Sequence, residues 1–267
     1  MDAEVSAPEH KITLRVHGSP ELPALIYLPG VHGDWTLIAG FRQALSTKAR
    51  FVEITYPRAT AWTLTRYAQG IESALLAAGV NGGWLLGESF GSQPAWELIR
   101  RTRGGQSSLR YDGLILAGGF VKHPWPWGAR FLRAVTAMAP RRLLRVLLAG
   151  YATCARFRHR HAPETLADIA QFVANRLHPD DPAAMAQRYT LIIENDLRSV
   201  AQEATLPVFQ LTGMVDPIVP WPLTAPWLRK HCPTLKDSRI IRLADHNVLA
   251  TAPTKSATLV LSWMQSV

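Results

Sequence analysis

Ser89 occupies a position whose sequence context suits a catalytic nucleophile. It is the serine of a G-x-S-x-G pattern, flanked at two residues on either side by Gly87 and Gly91. The apolar run Trp84–Leu86 before it predicts a buried strand, and Ala95–Arg101 after it has a helical pattern. A sharp turn from strand to helix lifts the serine hydroxyl clear of the sheet and needs glycines where strand and helix approach too closely for a Cβ. The sequence therefore predicts a strained nucleophile turn at Ser89.

A serine hydroxyl is a weak nucleophile near neutral pH, so Ser89 requires a base, and the base requires an acid that orients it. Both are expected at the ends of later strands. Asp216 follows the apolar run Val208–Thr212, and His246 follows Arg239–Leu243. The chain order Ser, Asp, His is the order expected for a triad built around this type of turn.

One alternative for the acid is Asp245, the residue immediately before His246. Adjacent side chains in one loop seldom face each other well enough to form the required hydrogen bond. We therefore favour Asp216 as the acid and keep Asp245 as its competitor.

Short apolar runs bounded by Gly, Pro or Asp predict the strands that position these residues. Continuous apolar runs of this length are typical of parallel strands buried on both faces. An alternating segment, Lys11–Val16, predicts an edge strand, and Trp35–Thr47 and Leu64–Ala78 have the apolar spacing of amphipathic helices. The predicted buried strands are Ala24–Leu28, Phe51–Ile54, Trp84–Leu86, Gly113–Ala117, Val208–Thr212 and Arg239–Leu243. This alternation predicts an α/β fold with a doubly wound, mostly parallel sheet.

The alternation of strands and helices stops between residues 120 and 203. We predict that residues 1–119 and 204–267 form the core and that residues 120–203 form an inserted helical lid over the carboxyl edge of the sheet, where open α/β sheets bind ligands. The predicted lid helices are Ala129–Ala139, Arg141–Tyr151, Glu164–Leu177 and Ala183–Val200.

Taken together, these segments resemble the α/β-hydrolase fold, over roughly residues 10–120 and 204–267. The resemblance rests on the G-x-S-x-G turn, on the Gly213-x-x-Asp216-Pro217 turn and on the late His246. It implies a serine hydrolase that needs no cofactor. The chain departs from the family in having Asp245 where a glycine often precedes the histidine. Some relatives place the acid after the sixth strand, where this chain has none.

The resemblance also implies an oxyanion hole made of two backbone N–H groups. One comes from Phe90, the residue after the nucleophile. The other comes from the turn after the first buried strand, where we favour Val31 because Gly30 then closes the strand. A rival alignment on His32-Gly33 moves the donor to Asp34.

Three further residues are candidates for the substrate pocket. His32 lies beside the proposed oxyanion turn, and His123 and Trp125 lie where the predicted lid begins. No metal site is expected, because the two cysteines, Cys154 and Cys232, are far apart and no Cys/His ligand spacing occurs.

Positive charge is concentrated in one part of the chain. The net charge is +9, and residues 100–160 hold thirteen Lys or Arg and one acid, Asp112. Such a segment attracts anions, so the substrate could carry negative charge, and the basic apolar helices are also compatible with peripheral membrane contact. Nucleic-acid binding is not expected, since no recognition motif is present.

These observations predict a serine hydrolase acting on a small-molecule carboxylic ester or thioester. Two alternatives remain: a thioesterase for acyl-CoA or an acyl carrier that uses the basic lid, and a non-catalytic protein that binds anionic lipid or nucleic acid. Relatives with an Asp nucleophile, such as the haloalkane dehalogenases, are disfavoured by Ser89. The acidic start Met1–Glu4 lacks the order of a signal peptide, and no apolar run is long enough to span a bilayer, so a cytoplasmic location is expected.

Overall fold

A single seven-stranded sheet forms the centre of the molecule. The computed structural model describes residues 11–45, 47–138, 141–158, 160–161, 163–176 and 178–266, so Met1–Glu4 lie outside the described residues. The strands are β1 Thr13–His17, β2 Ala24–Leu28, β3 Arg50–Thr55, β4 Gly82–Glu88, β5 Arg110–Ala117, β6 Val208–Gly213 and β7 Leu235–Ile241. Their spatial order is β1-β3-β2-β4-β5-β6-β7, with β1 antiparallel to β3 and every other pair parallel. The predicted α/β fold and the edge position of the first strand are confirmed.

Helices cover both faces of the sheet because successive strand residues point to opposite faces. On β2, Leu25 and Tyr27 pack with the helices Ala39–Leu45 and Pro253–Gln265, whereas Ile26 and Leu28 pack with the helices Leu64–Ala77 and Ser92–Arg103. This is the doubly wound arrangement that the apolar runs predicted. The helices are α1 Ala39–Leu45, α2 Leu64–Ala77, α3 Ser92–Arg103, α4 Pro126–Met138, α5 Arg141–Arg158, α6 Pro163–Asn175, α7 Asp181–Glu194, α8 Arg198–Gln202, α9 Trp221–His231, α10 Val248–Thr251 and α11 Pro253–Gln265.

Five of these helices, α4 to α8, lie between β5 and β6, in the region where the sequence predicted only helices. The predicted helix Ala183–Val200 is wrong as one element, because α7 ends at Glu194 and α8 begins at Arg198. Asp196 separates the two: its carboxylate accepts a hydrogen bond from the backbone N–H of Arg198 at 3.2 Å. A carboxylate that binds the backbone N–H two residues ahead forms a turn, and α8 begins after it with Leu197 as the N-cap residue.

The last predicted strand is shifted along the chain. Arg239–Leu243 was expected, but β7 runs over Leu235–Ile241, and Leu243 lies beyond it with a positive φ of 66°. Because β7 is an edge strand that pairs with β6, it tolerates the polar residues Lys236, Asp237 and Ser238. These residues interrupt the apolar pattern, so the sequence did not predict where the strand begins.

Candidate active site

The turn from β4 to α3 holds Ser89 in a conformation that L-residues rarely adopt. Ser89 has φ +50°, in the left-handed region, and its side chain is nearly buried. A Cβ on Gly91 would lie 1.9 Å from the carbonyl oxygen of Leu28, and one on Gly87 would lie 2.9 Å from Cα of Ser92. The close approach of strand and helix therefore leaves no room for a Cβ at Gly87 or Gly91.

His246 lies between Ser89 and Asp216. Its Nε2 is 2.8 Å from Ser89 Oγ, and its Nδ1 is 2.8 Å from Asp216 Oδ2. The other carboxylate oxygen of Asp216 accepts hydrogen bonds from the backbone N–H groups of Ile218, at 2.8 Å, and Val219, at 2.9 Å. The structure thus brings together three side chains that are separated by up to 157 positions in the chain.

Opposing effects act on the pKa of His246. Burial lowers it, while the hydrogen bond to Asp216 and the negative charge of that carboxylate raise it, and the net result is a pKa above the usual 6.5. Asp245, the competing acid, accepts a hydrogen bond from the backbone N–H of Asn247 at 3.0 Å. The ring nitrogen of His246 that faces away from Ser89 contacts Asp216.

The turn after β2 faces the same cavity. The N–H of Gly33 donates to the carbonyl oxygen of Gly30 at 3.0 Å, which closes a tight turn. Gly30, Val31 and His32 line the cavity next to Ser89. The carboxylate of Asp34 does not line this cavity. It accepts a hydrogen bond from the backbone N–H of Thr36 and pairs with Arg176.

Arg188, on α7, holds this turn from the other side. Its side chain is 2% exposed. Nη1 donates to the carbonyl oxygen of Val31 at 2.7 Å, and Nη2 donates to that of Pro57 at 2.9 Å. A Cβ on Gly33 would lie 2.6 Å from Nη1, so the guanidinium packs directly on the turn.

Arg176, just after α6, makes a second link of the same kind. Its Nη1 donates to the carbonyl oxygen of His32 at 2.6 Å and lies 3.1 Å from a carboxylate oxygen of Asp181, while Nη2 pairs with Asp34. The sequence analysis missed both arginines. For Arg188 a signal exists: it shares helical spacing with the apolar residues Met185 and Ile192, and a basic residue on an apolar helix face is expected to have a buried partner.

We expect Arg188→Met to lower the free energy of unfolding by about 2–5 kcal/mol. The methionine keeps much of the volume but leaves the carbonyl oxygens of Val31 and Pro57 without their donor, at about 1–3 kcal/mol each. Urea denaturation measures the change. The matched control is Arg103→Met, which breaks a surface pair with Glu203 and is expected to change stability by less than about 1 kcal/mol. Equal losses in the two variants would contradict the role assigned to Arg188.

The cavity beside Ser89 has a volume of about 190 Å³. Its walls are mostly apolar, and several wall residues come from the inserted helices α6 and α7. The apolar lining side chains are Val31, Leu37, Phe120, Phe172, Met185, Tyr189, Ile192 and Ile218.

Two predicted pocket residues, His32 and His123, line this cavity. Burial lowers the pKa of each imidazole to about 4, so both are neutral at pH 7. Glu88 also lines the cavity; it accepts a hydrogen bond from Tyr27, and burial raises its pKa.

Trp125 was predicted to reach the pocket but does not line the cavity that holds Ser89. Its side chain is half exposed and packs against the position of Gly128, where a Cβ would lie 2.5 Å from the indole ring. Its backbone instead contacts His123, because the N–H of Trp125 donates to Nδ1 of the imidazole at 3.2 Å.

Within the described residues, no group of three or more His, Cys, Asp or Glu is arranged to hold a metal ion. The chemistry that the site offers is a hydroxyl, an imidazole and a carboxylate in a linear relay at the carboxyl edge of the sheet.

Comparison with known proteins identifies the fold. No protein-family model matches this sequence, and no curated protein matches it. Solved structures do match over nearly the whole chain, at low sequence identity. An alpha/beta hydrolase enzyme from a Medee basin deep-sea metagenome library superimposes with a TM-score of 0.77 and 14% identity, covering 96% of this chain and 94% of the other.

Two further solved structures agree. A thermophilic esterase from Thermogutta terrifontis has a TM-score of 0.72 and 20% identity, covering 95% of this chain and 93% of that enzyme. The enol-lactonase from Burkholderia xenovorans has a TM-score of 0.73 and 17% identity, with 96% of each chain covered. The chain therefore has the α/β-hydrolase fold, as the sequence motifs indicated.

Proposed function

We propose that this protein is a serine hydrolase that cleaves carboxylic esters through a Ser89–His246–Asp216 triad. The observation that carries the proposal is the position of the His246 ring, with one nitrogen 2.8 Å from Ser89 Oγ and the other 2.8 Å from Asp216 Oδ2. Distances of this kind allow proton transfer from hydroxyl to imidazole without rearrangement. The presence of an esterase and an enol-lactonase among structures of the same fold agrees with it.

In the first half of the reaction, Ser89 Oγ attacks the ester carbonyl carbon while His246 Nε2 takes its proton. Asp216 fixes the tautomer that presents Nε2 to the serine and stabilises the imidazolium that forms. The C–O bond to the leaving group then breaks, and the alcohol departs with the proton from His246. This leaves the acyl group on Ser89.

The second half repeats this chemistry with water. His246 removes a proton from a water molecule, the resulting hydroxide attacks the acyl carbon, and Ser89 regains its proton as the acid leaves. We propose that the backbone N–H groups of Val31 and Phe90 hold the negative oxygen in both halves. Val31 is preferred to Asp34 because it belongs to the turn Gly30–His32, which lines the cavity next to Ser89, and Phe90 is chosen because it directly follows the nucleophile.

We further propose that the substrate has a short, uncharged acyl group. A volume of about 190 Å³ holds about six water-sized groups. Most wall residues are apolar, and the imidazoles of His32 and His123 are neutral at pH 7, so an acyl carboxylate entering this cavity would find no cationic side chain in its lining except a protonated His246. Burying such a charge without a partner is costly.

Within the segment inserted between β5 and β6, helices α6 and α7 serve, in this proposal, as a lid over the acyl group. Support comes from Phe172 on α6 and from Met185, Tyr189 and Ile192 on α7, all of which line the cavity that contains Ser89. A cover of apolar side chains excludes water and strengthens the electrostatic contacts within the site.

A series of p-nitrophenyl esters of increasing acyl length tests the substrate class. We expect kcat/KM to be highest for chains of about four to six carbons and to fall steeply for longer ones, since the cavity then overfills. A succinyl ester of matched length should be hydrolysed at least tenfold more slowly. Acyl-CoA thioesters belong in the same series, because they test the thioesterase alternative. Preference for a dodecanoyl or succinyl group would overturn the proposed substrate.

A further inference from the structure

Helices α4 and α5 leave an unusual amount of apolar surface exposed. Of the fourteen large apolar side chains that are exposed among the described residues, eight lie between residues 125 and 157. Trp127 is 72% exposed and Met138 is 81% exposed. Scattered exposed apolar residues are ordinary, whereas a concentration of bulky ones marks an interaction surface.

The large apolar side chains that α5 exposes fall on one face of the helix. Leu143, Val146, Leu147 and Phe157 are separated by three, four and fourteen positions, which places them on one face at 3.6 residues per turn. A different side of the helix packs on α6: the ring of Tyr151 lies 6.2 Å from that of Phe172, and Ala155 is buried. The exposed face is therefore not needed for packing within the molecule.

Helix α4 repeats this pattern. Trp127, Phe131 and Met138 are exposed and share one helix face, while Gly128 and Ala129 are buried on the other. The two arginines of α4, Arg130 and Arg133, lie on one flank of this face. The guanidinium carbon of Arg130 is 5.0 Å from the ring centre of Trp127. We call the exposed residues of the two helices the α4–α5 surface: Trp127, Arg130, Phe131, Arg133, Met138, Arg142, Leu143, Arg145, Val146, Leu147, Arg156 and Phe157.

The charge of the α4–α5 surface has one sign. It contains five arginines, and the sequence has no Asp or Glu between residues 113 and 163. On α5, the positions of Arg142, Arg145 and Arg156 fall together on one flank of the apolar face. A row of guanidinium groups beside a stripe of large apolar side chains is complementary to a surface on which anionic groups lie next to hydrocarbon.

We propose that the α4–α5 surface binds the surface of a membrane that contains anionic phospholipids. The apolar side chains would enter the boundary between headgroups and acyl chains, and the arginines would pair with the phosphates. Proteins that bind single-stranded nucleic acid combine a basic groove with aromatic side chains that stack on bases. The apolar face of α5 is mostly aliphatic, with Leu143, Val146 and Leu147, which favours lipid over that alternative. Among the described residues no helix is long and apolar enough to cross a bilayer, so the contact is peripheral.

Co-sedimentation of the full chain with vesicles tests this proposal. We expect binding to vesicles of phosphatidylcholine with about one third phosphatidylglycerol, at least tenfold weaker binding to pure phosphatidylcholine, and weakening with salt. The charge variant Arg142→Gln/Arg145→Gln should bind the anionic vesicles about 25-fold more weakly, at about fivefold per arginine. The apolar variant Leu143→Ser/Leu147→Ser should lose at least tenfold at every salt concentration.

Matched controls lie on helices elsewhere in the molecule. Arg229→Gln/Lys230→Gln removes two exposed charges from α9, and Leu76→Ser removes an exposed leucine from α2; both should bind vesicles like the wild type. All variants should hydrolyse a water-soluble ester at the wild-type rate, so vesicle binding and catalysis are judged separately. The proposal is overturned if the wild-type chain does not sediment with anionic vesicles at low salt. It is equally overturned if α4–α5 variants and controls bind alike, or if sedimentation shows a dimer whose formation depends on Leu143 and Leu147.

Discussion

Replacing Ser89 by alanine is expected to lower kcat for ester hydrolysis by about 10⁶-fold, because the variant cannot form the acyl-enzyme and the imidazole then has no nucleophile to activate. Ser89 Oγ lies 2.8 Å from His246 Nε2, so it is the hydroxyl from which the imidazole takes the proton, and alanine has no group to replace it. Initial rates on a p-nitrophenyl butyrate substrate measure the loss. The melting temperature should change little, since alanine adopts the same backbone conformation as serine.

The matched control for this experiment is Ser73→Ala, which removes an exposed hydroxyl on α2 whose hydrogen bond goes to the carbonyl oxygen of Gln69. It should retain full activity. A fluorophosphonate should add mass to the peptide that contains Ser89 in the wild type and in Ser73→Ala, but not in Ser89→Ala. If Ser89→Ala turns over esters at the wild-type rate, the proposed nucleophile is wrong.

Asp216→Asn should reduce kcat by about 10⁴-fold with little change in structure, because an amide favours the wrong tautomer of His246 and cannot stabilise the imidazolium. The matched variant Asp245→Asn tests the competing acid next to His246. We expect it to change kcat by less than about tenfold, since His246 Nδ1 contacts Asp216. A larger loss in Asp245→Asn than in Asp216→Asn would reverse the assignment.

The pH profile provides a second readout for the same pair. His246 must be neutral to accept a proton, so kcat/KM should rise with pH through the pKa of His246, and for the wild type the midpoint should lie above 6.5 because Asp216 raises that pKa. In Asp216→Asn the carboxylate charge is gone while burial, which lowers the pKa, remains. The midpoint of the residual activity should therefore move to lower pH. An unchanged midpoint would show that Asp216 does not act on His246.

The parts of the candidate site that could be predicted from the sequence are those set by residues close together in the chain or by the position of strand ends in a parallel sheet. The strand, turn and helix around Ser89 are encoded within about twenty residues, because Gly87 and Gly91 are required by the close approach itself. Asp216 and His246 were predictable because parallel strands bring their carboxyl ends to one edge of the sheet. Chain order then restricted the choice of acid and base.

The parts that sequence reasoning missed depend on contacts between distant segments. Arg188 reaches the carbonyl oxygen of Val31, 157 positions away, and no local pattern specifies which backbone groups a buried arginine will meet. The start of β7 was missed because an edge strand with polar residues lacks the continuous apolar run of a central strand. Trp125 lies outside the cavity lining, with its indole packed at the position of Gly128, and no local pattern in the sequence specifies that contact.

The two buried arginines have a consequence for protein engineering. Exchanging the segment between β5 and β6 for that of another enzyme is an obvious route to new selectivity, but it would remove the donors on which the carbonyl groups of Val31, His32 and Pro57 depend. A chimera that omits Arg176 and Arg188 would leave the carbonyl groups of the turn after β2 without these donors, whatever its new pocket contained. Libraries that vary cavity-lining positions such as Met185 and Ile192, while leaving the two guanidinium groups in place, avoid that defect.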